Sequence, residues 1–159
     1  MAAATRIGDR RAEQGVTYPV VLGLLMAFAL GTSVSVPLAS TEMKRMQEAE
    51  LLFRGMAYRN AIQSYYEAVP QAPEYPAELD DLINDRRFAH RRHIRRLYAD
   101  PITGGAWELI RTAGGRIAGV RSRSGKKPLK TGNFPSGLEE FAAATRYQDW
   151  WFVFTKDNP

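Results

Sequence analysis

Six arginines and two histidines crowd the interval from 86 to 96: Arg86, Arg87, His90, Arg91, Arg92, His93, Arg95 and Arg96. Arginines at this density grip phosphate backbones by releasing counterions, and Phe88 and Tyr98 could offer stacking faces to bases. The same block also reads as the wet side of a helix, or as a patch that meets the acidic part of a neighbouring subunit. The assembly reading is preferred. His90 and His93 are the only histidines. Three residues apart and without a third ligand, they read as surface residues, not as a metal site or a catalytic triad.

Other constellations carry less. Glu139-Glu140 and Asp80-Asp81 are adjacent pairs whose side chains diverge, which does not suit paired acid and base work. The glycine-rich stretches 102–106 and 113–116 lack the Lys-Ser/Thr of a phosphate loop. No cysteine is present, which excludes disulfides and thiolate metal sites. Neither an enzyme nor a cofactor is expected.

Charge is laid out unevenly over the 159 residues, whose net charge is +5. From Glu42 to Asp85 there are nine acids and four bases, whereas from Arg86 to Lys130 there are thirteen bases and two acids. Acidic residues of the first segment, such as Glu42, Glu48 and Glu50, are the natural complement of the arginine block in a neighbouring subunit.

The elements that must position these residues follow from periodicity. Residues 41–69 are rich in strong helix formers, with apolar side chains at Met46, Ala49, Phe53 and Met56 and then at Tyr58, Ile62, Tyr65 and Val69. Gly55 is the weak point, and Pro70 ends the run. Residues 70–100 read as a loop with short helices, one opened by Pro76 and one over Phe88–Tyr98. Region 105–155 reads as β. Trp107–Arg111 and Arg116–Arg121 form a hairpin around Thr112-Ala113-Gly114-Gly115, and Trp150–Phe154 is a strand buried on both faces. The expected fold is α+β, a long N-terminal helix packed on a small antiparallel sheet.

Before these elements lies a run without charge between Glu13 and Glu42, preceded by Arg6, Arg10 and Arg11. Its length suits a transmembrane helix over 16–39, with the bases held on the cytoplasmic side. A leader (1–15) ending in Gly15, followed by Val16-Thr17-Tyr18 and an apolar helix, resembles a type IV prepilin or a type II secretion pseudopilin. The passage RRHIRRLYADPITGGAWELI, with YPAELDDLI before it, resembles the major (G-type) pseudopilins. The resemblance implies cleavage after Gly15 by a prepilin peptidase and N-methylation of Val16. It also implies a helix-loosening role for Pro37 and a long helix that is half membrane span and half amphipathic spine. One position departs from the family: Val20 stands where a glutamate usually guides docking into the filament. Relatives often hold calcium in a loop near the C-terminus, but residues 121–137 contain no acid and Asp100, Asp149 and Asp157 are scattered, so no metal is expected.

The resemblance implies a structural subunit of a type II secretion or type IV pilus-like filament that drives protein export. It would be a single-pass protein of a bacterial inner membrane, with a pilin-like domain (40–159) in the periplasm. Its partners would be the membrane, like subunits and other pseudopilins, the prepilin peptidase and the secretion assembly platform. The alternative is a signal-anchored extracytoplasmic module whose arginine-rich surface captures a polyanion such as DNA.

Overall fold

The structure, a computed structural model, describes residues 17–156. It divides into two units, Met1–Ser40 and Thr41–Pro159. Helix α1 spans Thr17–Glu67 and continues through Pro37. In the first unit its described side chains from Tyr18 to Met26 are exposed.

The expected membrane span is not found. Among the described residues no helix is long and apolar enough to cross a membrane. Of the expected span 16–39, Val16 and the side chains of 27–39 lie outside the described residues. The expected fold, a spine that is half membrane span and half amphipathic helix, is corrected accordingly, and so is the single-pass inner-membrane location.

In the second unit, α1 buries Leu51, Tyr58, Ala61, Ile62 and Tyr65, which recur at helical spacing along one face. The earlier part of the predicted stripe lies elsewhere, with Met46 and Phe53 exposed. The helix ends at Glu67, where Ala68 N–H turns back to the Tyr65 carbonyl and Pro70 follows. Beyond it come a 3₁₀ turn at Leu79–Leu82 and an irregular passage. The helix expected over Phe88–Tyr98 does not form. That passage is pinned by backbone bonds from His93 and Ile94 to the Leu82 carbonyl, and such bonds at a distance in sequence replace the local ladder.

The hairpin is close to expectation. β1 (Glu108–Arg111) pairs antiparallel with β2 (Ile117–Arg121), with a bulge at Ile110/Arg111. Gly115 takes φ 78° in the turn, a value that a side chain would resist. β3 (Trp151–Val153) adds on the other side of β2, giving the order β1-β2-β3. It is buried on one face only: Phe152 is sealed and Trp151 is about half exposed at 49%.

An aromatic layer fills the space between α1 and the sheet. Phe141 stacks on Trp150 at 5.4 Å, Phe152 meets Phe141 edge-on at 5.2 Å, and Trp107 lies between Phe152 and Tyr58. The approach is close enough that a Cβ at Gly55 would lie 2.4 Å from the Phe152 ring. Gly55, the apparent weak point of the helix, is thus the position that admits β3.

Gly55→Ala should therefore destabilise by about 1–3 kcal/mol through overpacking, despite a helix-propensity gain of up to about 1 kcal/mol. Phe152→Ala should cost about 3–5 kcal/mol. In that background the penalty for Gly55→Ala should vanish or reverse, as read by urea unfolding. Equal penalties in both backgrounds would show that the ring contact is not the cause.

Candidate interaction surface on the arginine-rich loop

The loop is organised by Asp85, which has no exposed surface. Its carboxylate accepts the Arg87 backbone N–H (3.0 Å), Arg87 Nε (2.9 Å) and Arg87 Nη2 (2.8 Å). His93 Nε2 lies 3.1 Å from Asp85 Oδ2, and His93 Nδ1 lies 2.8 Å from Ser64 Oγ on α1. A neutral ring satisfies both contacts by donating from Nε2 and accepting the Ser64 hydroxyl proton at Nδ1. Arg87 Nη2 also donates to the Tyr65 carbonyl at 2.8 Å, and its guanidinium lies 3.6 Å over the Tyr65 ring. Burial pushes the Asp85 carboxyl up, but the Arg87 and His93 hydrogen bonds outweigh it and hold the group at about 2.

His93 is consequently not the surface residue expected; its side chain is 1% exposed. Ser64, His93 and Asp85 have the composition of a catalytic triad without its accessibility. The ring is sealed from solvent, the serine sits inside a helix, and both oxygens of the aspartate are taken by Arg87. The cluster clamps the loop to α1.

The clamp divides the arginine block. Arg87 faces inward, while Arg86, Arg91, Arg92, Arg95 and Arg96 are exposed. Arg86 lies 3.7 Å from Asp81. The other four exposed arginines form no ion pair among the described residues. Arg91 lies 4.9 Å from the centre of the partly exposed Phe88 ring, and Arg96 lies 5.2 Å from that of Tyr98. His90, at the tip, has φ 64°, uncommon for a residue with a side chain. The result is a cationic surface with aromatic faces, held on a rigid base.

The remaining predicted site residues lie elsewhere. Gly15 and Val16 are outside the described residues, as is Asp157. Val20 is exposed on α1, and Pro37 lies inside it. Asp100 is fully buried and accepts Ile102 N–H (2.9 Å) and the Thr103 and Ser122 hydroxyls (2.7 Å each). Among the described residues no group of three or more potential ligands could hold a metal.

Sequence reasoning missed the role of Glu48. Expected on an exposed acidic face, it is 3% exposed. It accepts Leu129 N–H, Lys130 N–H and the Tyr147 hydroxyl (2.9 Å), and burial together with this carboxyl pushes the Tyr147 phenol up. These partners are more than eighty residues away, so no local pattern marks them. Comparison with protein-family models, curated proteins and solved structures gives no match for this chain.

The Asp85 clamp gives stability a definite pH dependence. The folded pKa of about 2 lies below the ordinary 3.8. Its contribution is therefore complete above about pH 4 and is lost as pH falls toward 2, amounting to about 2 kcal/mol. Urea unfolding should show the stability gap between the native chain and Asp85→Asn shrinking by that amount from about pH 5 to about pH 2. A gap independent of pH would contradict the assignment.

Proposed function

We propose that this chain is a structural subunit of a filament of the type II secretion or type IV pilus kind, cut after Gly15 and N-methylated on Val16. The observation that carries this reading is the apolar surface of α1. Tyr18, Val20, Val21, Leu22, Leu24, Leu25 and Met26 all lie exposed on consecutive turns of one helix. A helix that is apolar on every side needs cover all round, and packing against the same helix of like subunits provides it. Val20 removes the carboxylate that would guide docking in relatives of this kind, which suits an initiating or minor subunit.

The exposed arginines then contribute to subunit contacts, where complementary charge fixes register more than affinity. Glu42, Glu67, Glu78, Asp80, Glu139 and Glu140 are exposed acids outside every ion pair of the described residues, and they are available as counter-charges on a neighbour. A second reading, capture of a polyanion such as DNA, draws support from the Phe88 ring beneath Arg91.

Mass spectrometry of the native protein should find an N-terminus at methylated Val16. A chain beginning at Met1 or near Ser40 would defeat the proposal. Reversing Arg91, Arg92, Arg95 and Arg96 to glutamate should impair assembly while the subunit stays folded. Micromolar DNA binding at physiological salt, lost on the same reversal while assembly is normal, would favour the second reading.

A further inference from the structure

A second group of bases lies apart from the arginine loop, on the segment between β2 and the 3₁₀ turn at Glu139–Ala143. Lys44 and Gln47 of α1, Lys126 and Lys127 of this segment, and the apolar Ile102 and Leu129 line a cleft of about 360 Å³. Tyr147 completes the lining, in which no residue is acidic; the Glu48 carboxylate behind it is engaged by the Tyr147 hydroxyl and the Leu129 and Lys130 N–H groups. The three lysines are exposed and form no ion pair among the described residues. Like charges gathered without an ion-pair partner repel one another, and an anion relieves that cost.

The segment is rich in Gly, Ser and Pro, yet it is held at both ends of the lysine pair. Upstream, Ser122 Oγ donates to buried Asp100 (2.7 Å), Ser124 N–H donates to Ser122 Oγ (3.1 Å), and Lys126 N–H lies 3.3 Å from Ser124 Oγ. Tyr147 and Gln148 N–H donate to the Lys126 and Ser124 carbonyls at 3.1 and 3.0 Å. Downstream, Leu129 and Lys130 N–H donate to Glu48 of α1. The lysines of the segment and the lysine of the helix therefore face one space from a backbone that is already held, so that binding has only their side chains to order.

We propose that this cleft binds a phosphoryl group, free or carried on an organic headgroup. Three ammonium groups arriving from two elements match the several acceptor oxygens spread around one phosphorus. A single planar carboxylate would leave part of the lysine charge unmet. Lysine is a point-charge donor suited to such oxyanions. Gln47 adds a neutral donor, and Ile102 with Leu129 gives an apolar wall for whatever carries the phosphate.

The full chain is titrated with pyrophosphate by calorimetry at about 20 mM salt, and is co-sedimented with phosphatidylglycerol and with phosphatidylcholine vesicles. Pyrophosphate binding identifies free phosphate as a source. Enrichment on phosphatidylglycerol alone identifies a headgroup. In either case Lys126→Gln/Lys127→Gln should weaken binding at least tenfold, and salt of about 0.5 M should abolish it. Lys44→Gln, on the helix rather than the segment, should weaken it several-fold and gives an independent reading if the double variant disturbs folding. Arg91→Gln/Arg92→Gln should leave binding within about twofold. Absence of binding to every probe, or an equal loss in the arginine variant, overturns the proposal.

Discussion

A carboxyl group taken out of water must be given as many donors as water supplied, and most of this fold follows from that constraint. Outside α1, the described residues hold only three short strands and three 3₁₀ turns as regular structure. The irregular passages gather around acids instead. Asp81 takes the Ala77 and Glu78 N–H groups, Asp85 takes Arg87 and His93, Asp100 takes Ile102, Thr103 and Ser122, and Glu48 takes Leu129, Lys130 and Tyr147. Each acid fixes the path of a segment that has no ladder of its own. Removing one would strand its donors as well as its charge, so these sites stabilise chiefly by making alternatives expensive.

The acids set where loops run, and the aromatic layer sets how closely the sheet approaches α1. Gly55 allows Phe152 to reach the helix backbone, and Phe152 places β3 beside β2. From there Trp107, Phe141 and Trp150 build outward to Tyr58 and Tyr147. Tyr147 returns to Glu48, which links the aromatic layer to the acid that holds the lysine segment. Packing and polar satisfaction meet at that residue.

Those parts of the fold set by neighbours in sequence were legible. The hairpin around Gly114-Gly115, the short turn after Pro76 and the end of α1 before Pro70 all depend on residues a few positions apart. Contacts across the chain escaped. Phe88–Tyr98 has the composition of a short helix, but the Asp85 clamp and the Leu82 carbonyl hold it in an irregular path. Met46 and Phe53 match the helical period as well as Leu51 and Tyr58 do, and only the position of the sheet decides which face is buried. His93 looked like a surface histidine because nothing nearby in sequence reveals Ser64 as its partner.

The sequence segregates charge, but folding does not turn that pattern into two facing patches. Of the acids between Glu42 and Asp85, Glu48, Asp81 and Asp85 are buried, while Glu50 and Glu74 are engaged by Arg54 and Arg116. The acidic half of the chain therefore contributes much less negative surface than its composition suggests. Arg54, Arg86, Arg87, Arg116, Arg121 and Arg146 are paired, but Arg91, Arg92, Arg95, Arg96, Lys44, Lys126 and Lys127 are exposed and outside ion pairs of the described residues. The same buried acids that hold the loops in place thus leave the surface more positive than the net charge implies. A neighbouring copy can return only part of that charge, because its own acids are spent in the same way. The arginine loop and the lysine cleft are two places where this excess gathers on a fixed backbone, and the proposed subunit and phosphoryl contacts would draw on it there.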